Sequence, residues 1–372
     1  MSASFNRPPI TTAFVTGATG LLGNNLVRLL VSKGISVRVL VRSVEKARTQ
    51  FQNLPVEIVE GDLDSPWGFA RALEGADVVF HTAAFFRDNY KGGTHWDQLH
   101  KVNVVGTADL LRFAYSAGVR RFVHTSSIAV LHGPQGATIN ETMLRRVDDA
   151  DAYYRSKILA DLEVEKFLES HPDFWAAMVL PGWMHGPGDI GPTSAGQLVL
   201  DFARRKLPGI APGTFSLVDA RDVAETQWAV LDRGRRGERY SAAGRNMTMK
   251  TLAPILESAT GVKAPTRRIP MRLLYLIAAV NEAWARITGR PVLLSLAMVR
   301  VMASEDGRTT FDHSKREREL GLQFRPVEDT LRDEIGWYRD HGWLPGGNRM
   351  LDGSLKGTGF GAPAFSPKET GL

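Results

Sequence analysis

The sequence predicts an α/β protein in which a doubly wound parallel sheet carries a smaller, mostly helical C-terminal lobe. Three observations support this prediction. A short apolar run near the N-terminus leads through a glycine turn into an amphipathic helix. Through the first half, β-rich runs alternate with helical patterns, and after Pro181 the sequence changes to Gly/Pro-rich loops and further helices. A chain of 372 residues is also long enough to bury a large core.

The first half of the chain contains six β-rich runs, at 13–15, 36–41, 56–59, 77–81, 121–125 and 176–180. Helical patterns separate them, at 43–51, 66–73, 96–117 and 153–170. Strands joined by long helical crossovers form a parallel sheet covered on both faces, with ligands at the carboxyl ends of the strands. We therefore expect a dinucleotide-binding type of domain over 10–181, with returning segments near 215–245.

The second half predicts a substrate-binding lobe over 182–345. Gly- and Pro-rich stretches read as loops at 186–196 and 207–213. Helical patterns follow at 223–231, 251–260, 271–288, 291–302 and 327–339. Residues 346–372 hold seven glycines and little apolar periodicity, so we expect a disordered tail.

The composition excludes several classes of site. The chain has no cysteine, which rules out disulfides, thiolate metal sites and cysteine nucleophiles, and we predict no metal site. The net charge of +6 is spread along the chain in clusters without interleaved aromatic residues, so we expect no nucleic-acid partner. Residues 1–9 lack the apolar core of a signal peptide, and no run reaches the roughly 18 apolar residues of a transmembrane helix. We expect a cytoplasmic protein.

The first motif runs from Thr16 to Gly23, Thr-Gly-Ala-Thr-Gly-Leu-Leu-Gly, between a strand and a helix. Gly17 permits the tight turn, Gly20 lets the backbone approach a phosphate, and Gly23 lets the helix pack close to the sheet. Unpaired amides at the helix start would face the anion. The pattern predicts a pyrophosphate-binding turn formed by Gly17, Thr19, Gly20, Leu21, Leu22 and Gly23; the alternative is an ordinary glycine-rich turn.

The second motif is the pair Tyr153 and Lys157, which lie four apart on one helical face. A nearby ammonium favours the phenolate, so the tyrosine becomes a candidate general acid or base. Ser126 and Ser127 follow the fifth strand, at the edge where ligands bind. On its own, the pair could equally be two surface residues of an amphipathic helix.

Together these motifs resemble the extended branch of the short-chain dehydrogenase/reductase superfamily, and more narrowly its dihydroflavonol-reductase-like and 3β-hydroxysteroid-dehydrogenase-like members. Further matching stretches are Gly61-Asp62-Leu63, His81-Thr82-Ala83-Ala84, Asn103-Val104-Val105-Gly106-Thr107, Leu180-Pro181-Gly182 with Gly186-Pro187-Gly188-Asp189, and 218–224. The resemblance implies a Rossmann sheet and an NAD(P)-dependent oxidoreductase. It also implies that Tyr153 exchanges a proton with substrate, that Lys157 lowers the tyrosine pKa and binds ribose, and that Ser127 (or its neighbour Ser126) bonds the reacting oxygen. The cofactor contacts it adds are Asp62, Leu63, Thr82, Ala83, Ala84 and Pro181.

The end of the second strand bears on the choice of cofactor. The position where NAD enzymes carry an acid is Val41, and the next residue is Arg42. A guanidinium binds a 2′-phosphate in a fork, so we expect NADP, with NAD as the alternative and a solvated arginine as the plainer interpretation. Lys46 and Arg48 could add to the phosphate field or simply coat the helix.

The candidate substrate wall is apolar, comprising Phe85, Phe86, Trp183 and Met184, with His185 among them as a possible hydrogen-bond donor or a packed loop residue. We predict an NADPH-dependent reductase, reversibly an alcohol dehydrogenase, of a ketone or aldehyde on an apolar small molecule. The alternatives are an NAD-dependent nucleotide-sugar epimerase and a non-catalytic dinucleotide-binding regulator. The oligomeric state stays open; the resemblance implies that helices at 96–117 and 153–170 are those that often form the face of a homodimer. The apolar runs 273–280 and 291–302 predict core helices of the second lobe; the alternatives are an apolar substrate entry or a peripheral membrane contact.

Overall fold

The computed structural model describes residues 9–86, 95–288 and 294–346. Its ten strands are β1 Thr12–Thr16, β2 Ser36–Val41, β3 Val56–Glu60, β4 Val78–His81, β5 Arg121–Thr125, β6 Trp175–Pro181, β7 Trp183–His185, β8 Thr214–Asp219, β9 Arg239–Ala242 and β10 Arg245–Thr248. Seven of them form a parallel sheet in the order β3-β2-β1-β4-β5-β6-β9. The order reverses between β1 and β4, which makes the carboxyl ends of these two strands the expected ligand crevice.

The helices are α1 Leu21–Ser32, α2 Val44–Gln50, α3 Trp96–Leu99, α4 Gly106–Ser116, α5 Ala152–Ser170, α6 Ser194–Ala203, α7 Ala220–Arg233, α8 Met249–Thr260, α9 Met271–Thr288, α10 Leu296–Ser304, α11 Ser314–Leu320 and α12 Val327–Asp340. One core layer contains α1 and α7, and the layer on the opposite sheet face contains α4 and α5. Strand β1 shows how one run serves both layers: Val15 packs into the first and Phe14 into the second, and both are fully buried. The predicted doubly wound α/β class is confirmed.

Two predicted elements in the first half differ in detail. The segment 66–73 is not an α-helix but two 3₁₀ turns, Pro66–Gly68 and Ala70–Leu73. Phe69 between them leaves the helical region, is buried and stacks on Phe14 at 6.1 Å, so tertiary packing of this ring overrides the helical pattern. The helix predicted at 96–117 is continuous from α3 to α4 but contains a π-helical turn, His100–Val105.

The second lobe contains more sheet than the sequence predicts. A three-stranded sheet in the order β10-β8-β7 lies in it, and α11 was also not predicted. The loop predicted at 186–196 is wrong in its last residues, because Thr193 caps α6 and its Oγ1 accepts from Gly196 N at 3.3 Å. The lobe core joins α6, α8 and α12, and a smaller cluster joins α9 to α10.

Two sequence predictions fall on residues outside the described ranges. Of the predicted tail 346–372, residues 347–372 lie outside these ranges. Of the helix predicted at 291–302, residues 291–293 lie outside them. Within the three described ranges, no helix is long and apolar enough to cross a membrane.

Candidate active site

The three glycines of the β1–α1 turn have different surroundings. Gly17 has φ +68°, and a Cβ there would lie 2.5 Å from Ala83 N. A Cβ on Gly23 would lie 2.2 Å from the Gly17 carbonyl oxygen. A Cβ on Gly20 would meet only that same oxygen, at 3.4 Å, and otherwise open space. The first two glycines are needed to fold the turn, whereas Gly20 keeps an approach to the backbone clear.

The start of α1 is suited to an anion. The first amides of any helix, here those of Leu21 and Leu22, lack intrahelical partners. The N-cap is Gly20, which has no side chain that could accept from them. The side chains of both leucines are buried in the protein, and Thr19 is half-buried beside the exposed Gly20. An unpaired helix N-terminus at a strand switch point is a ready phosphate site.

A buried chain of hydrogen bonds fixes the end of β4 against this turn. Thr16 Oγ1 lies 2.8 Å from His81 Nδ1, and His81 Nε2 lies 3.0 Å from Thr107 Oγ1. Thr107 itself donates to a backbone carbonyl, so it accepts from His81, and Thr16 donates to Nδ1. Burial holds the pKa of His81 well below its usual value, which keeps the ring neutral in this arrangement. Thr82 Oγ1 donates to the Thr16 carbonyl at 2.7 Å, and Ala83 N donates to Thr16 Oγ1. The crevice is therefore bordered by Thr82 and Ala83, which are half-buried, and by Ala84, which is exposed.

The π-helical turn supplies a residue that the sequence analysis placed in a motif but gave no role. Asn103 Oδ1 accepts from Phe85 N at 2.7 Å, and its Nδ2 donates to the Phe85 carbonyl at 3.0 Å. The same Nδ2 donates to Ser156 Oγ at 3.0 Å. Asn103 thus ties the segment after β4 to α5. The sequence offered one signal for this role, which is a single amide side chain within the otherwise apolar run 102–105.

Helix α5 carries the candidate catalytic pair. Asp151 caps it by accepting from Tyr154 N at 2.8 Å. Tyr153 is 7% exposed and makes an edge-on contact with Phe86, with ring centroids 4.9 Å apart. Lys157, one turn later, is 4% exposed, and its Nζ donates to the Thr125 carbonyl at 2.6 Å. Burial lowers the pKa of Lys157 to about 8, and the Asp161 carboxylate opposes that shift.

The two serines after β5 have different environments. Ser126 is buried and donates to Asp161 Oδ2 at 2.8 Å. Ser127 is half-buried, and its Oγ accepts from Ala129 N at 3.2 Å. The hydroxyl hydrogen of Ser127 is therefore available to a ligand oxygen, whereas that of Ser126 is committed inside the protein.

Behind the pair lies a buried charge cluster that the sequence analysis missed. Asp161 Oδ2 lies 3.3 Å from Arg239 Nε, and its Oδ1 lies 3.3 Å from His124 Nε2. Asp161 is four residues after Lys157, so it shares the same helical face. The spacing of Lys157 and Asp161 can be read from the sequence. The partners of Asp161 cannot, because His124 lies on β5 and Arg239 lies on β9.

The end of β2 presents the residue predicted to select the cofactor. Arg42 is exposed directly after Val41, and it has no hydrogen bond or ion pair within the part of the chain that the structure describes. Beyond the neighbouring strand β3, Asp62 Oδ1 accepts from Asp64 N, and Leu63 is buried against Gly106. An unengaged guanidinium thus stands at this edge of the sheet.

The loop after β7 is tied to the N-terminal part of α1. Asn24 Nδ2 donates to the Gly188 carbonyl at 3.2 Å, and Asn25 Nδ2 donates to the Pro187 carbonyl at 2.9 Å. Pro181, buried at the end of β6, precedes it. These bonds bring the family-matching stretch 186–189 beside the glycine turn.

The predicted substrate residues separate into two groups. Phe85, Trp183 and Met184 are half-buried, as is Phe86, whereas His185 is fully buried. His185 Nδ1 lies 3.0 Å from Glu334 Oε2 of α12, which also accepts from Gly186 N. The structure therefore places His185 in lobe packing, the second of the two interpretations that the sequence left open.

Comparison with known proteins agrees with this geometry. The model of the NAD dependent epimerase/dehydratase family matches residues 13–243. The chain is 36% identical over 338 residues to the sterol demethylase protein B of Methylococcus capsulatus, covering 90% of this chain and 100% of the relative. It is 33% identical over 337 residues to a putative dihydroflavonol 4-reductase of Synechocystis, covering 89% and 95%. The crystal structure of gox2253 superposes with a TM-score of 0.76 at 33% identity, covering 90% of this chain and 99% of that one.

The fold, the glycine turn and these relatives define an NAD(P)-dependent oxidoreductase. The chain belongs to the NAD-dependent epimerase/dehydratase family, among the extended short-chain dehydrogenases/reductases.

Proposed function

We propose that this protein is an NADPH-dependent reductase of a ketone or aldehyde carried on an apolar small molecule, and reversibly an alcohol dehydrogenase. The observation that carries the proposal is the pair Tyr153 and Lys157, which lies beside the carboxyl end of β5, one strand from the glycine crevice. NADPH, when bound, supplies the hydride. The crevice fits such a cofactor, because Gly20 leaves room at an uncapped helix N-terminus.

Tyr153 is the proton donor in this proposal. The Lys157 ammonium favours the phenolate form of Tyr153, so the tyrosine releases its proton more readily to a developing alkoxide. With a pKa of about 8, Lys157 is about nine-tenths protonated at pH 7. Its bond to the Thr125 carbonyl holds the ammonium in place while burial limits competing water.

Ser127 is the proposed second contact to the reacting oxygen. Its Oγ already accepts from Ala129 N, so its O–H donates to the substrate. Ser126 is the poorer candidate, because its hydroxyl hydrogen is held by Asp161.

The proposed preference for NADPH rests on Arg42. The site offers no carboxylate at Val41 to hold an unphosphorylated ribose and repel a 2′-phosphate. The Arg42 guanidinium is exposed and makes no ion pair within the described ranges, so it is free to bind that phosphate as a fork.

The proposed apolar substrate rests on the half-buried side chains of Phe85, Phe86, Trp183 and Met184. A wall of this kind suits a flat or aliphatic carbonyl compound better than a sugar nucleotide, which needs convergent polar groups. The names of two relatives, a sterol demethylase protein and a putative dihydroflavonol reductase, refer to compounds of that class.

The first test is a titration of the purified protein with NADPH and with NADH, followed by cofactor fluorescence. We expect NADPH to bind at least about tenfold more tightly, and Arg42→Ala to remove most of that difference, because charge-assisted bonds of this kind contribute about 1.5–3 kcal/mol. Arg300→Ala, which is also exposed but lies on α10 of the second lobe, is the control. A preference for NADH, or NAD that copurifies, would favour the epimerase, and no binding of either would refute the enzyme.

The second test is reduction of a panel of apolar ketones and aldehydes. Tyr153→Phe should lower kcat by about 10²–10⁴, the usual contribution of a general acid. Tyr154→Phe is the matched control, because Tyr154 is the next residue of the same helix and lies under the Arg145 guanidinium. Equal activities of the two variants would exclude Tyr153 as proton donor.

A further inference from the structure

Helix α9 exposes a stripe of large apolar side chains, which we call the α9 stripe. It consists of Leu273, Leu276, Val280 and Trp284, whose exposed fractions are 36%, 62%, 61% and 60%. Spacings of three, four and four residues place all four on one face of the helix. Half of the large apolar side chains exposed within the described ranges thus lie on this one face.

The α9 stripe is separate from the face by which α9 is held to the protein. Leu274, Ala278 and Ala285 are buried on the packed side, where Leu274 and Ala278 cluster with Val299 of α10. At about 100° per residue, the stripe lies roughly a third of a turn away from these residues and runs for about 16 Å. The helix therefore has one apolar face for its own lobe and a second that no described residue of the lobe covers.

Basic residues border the beginning of α9. Lys263, Arg267 and Arg268 precede the helix, and Arg272 lies on it next to the stripe. All four are exposed, and none makes an ion pair within the three described ranges. Four exposed cations, without carboxylate partners in the described ranges, thus precede or begin the helix that carries the stripe.

We propose that α9 is a membrane-docking element that lies in the plane of a bilayer surface containing anionic lipids. The α9 stripe would enter the boundary between headgroups and acyl chains, and the four basic side chains would contact lipid phosphates and carboxylates. The helix is too polar on its other faces to cross a membrane, in agreement with the lack of any spanning helix in the described part of the chain. The inference does not depend on the identity of the substrate.

Charge distinguishes a bilayer from a second copy of the chain as the occupant. A second copy could cover the apolar area of the stripe, but its α9 would bring a single carboxylate, Glu282, to face the four basic residues. An anionic bilayer supplies both an apolar layer and a dense array of negative charges.

The test is flotation of the full chain with vesicles of phosphatidylcholine alone or mixed with phosphatidylserine. We expect binding to the mixed vesicles that weakens at high salt. The double substitution Leu276→Ser and Trp284→Ser should lower the bound fraction at least about tenfold, and Arg267→Gln with Arg268→Gln should lower it on mixed vesicles only. Trp67→Ser is the matched control, because Trp67 is 81% exposed outside α9.

Two further measurements keep the outcomes distinct. Thermal melting and NADPH titration of the stripe variant should match the wild type, which shows that the fold and the cofactor site are intact. Light scattering should give the same mass for both proteins. The proposal is overturned by a lack of flotation on every composition, by flotation that the stripe variant retains, or by a dimer that the stripe variant dissociates.

Discussion

Replacing Gly20 by alanine separates the needs of the cofactor from those of the fold. The backbone of Gly20, at φ −81° and ψ 171°, is open to any residue, and the new Cβ would come no closer than 3.4 Å to the protein. Alanine is a poorer N-cap than glycine, which costs about 0.5–1 kcal/mol. For a chain of this size that corresponds to a fall in melting temperature of about 1 °C. The methyl group would stand where a phosphate must approach, and a misfit of about 1–3 kcal/mol weakens binding by about 5–150-fold.

Gly23→Ala is the matched comparison, because it adds the same methyl group one helical turn later. There the new Cβ would lie 2.2 Å from a backbone oxygen, so the turn must move and the melting temperature should fall by several degrees. Thermal melting and NADPH titration of both variants measure the two effects separately. If Gly20→Ala binds NADPH as well as the wild type, the cofactor does not approach this turn and the site has been misassigned.

Three further predictions concern side chains around the candidate catalytic pair and in the loop after β7. Asp161→Asn removes the carboxylate that raises the pKa of Lys157, so the alkaline limb of kcat should move from about 8 to lower pH; an unmoved limb would exclude Lys157 as the titrating group. Burial raises the pKa of Asp189 to about 6, above its unfolded value, so the folded state holds this proton longer and the group destabilises the protein increasingly as pH rises from about 4 to 6. In melting experiments, Asp189→Asn should therefore gain about 2 kcal/mol relative to the wild type between pH 4 and pH 7, and a constant difference would contradict this. Ser127→Ala should lower kcat about 10–100-fold and lower the melting temperature by only about 1–2 °C, through the lost bond from Ala129 N, whereas Ser126→Ala should chiefly lower the melting temperature; the reverse pattern would exchange their roles.

The parts of the fold that sequence predicts are those in which local geometry demands a residue type. Gly17 and Gly23 are readable because a positive φ and a close backbone approach exclude side chains. The strand β1 is readable because burial on both faces requires a continuous apolar run. Tyr153 and Lys157 are readable because one helical turn brings them together.

Contacts made across long stretches of chain could not be predicted in this way. Arg239 reaches Asp161 from 78 residues away, and its sequence neighbourhood gives no sign of a buried partner. The three-residue strand β7 exists because it pairs with β8, and so short a run has no period of its own. The 3₁₀ turns around Phe69 likewise depend on a residue far away in the sequence, because Phe69 stacks on Phe14 of β1.

Glu334 connects helix α12 of the second lobe to the loop after β7. It lies on α12 of the second lobe, and it accepts from Gly186 N of the loop that Asn25 fastens beside the glycine turn. If filling the lobe shifts α12, the bond from Gly186 N carries that shift toward the turn, and a ligand bound at the turn acts on α12 by the same route. Thermodynamic reciprocity then requires that any gain in cofactor affinity caused by substrate equals the gain in substrate affinity caused by cofactor. On the proposed function, we therefore expect the affinities for substrate and for cofactor to be coupled through this one carboxylate.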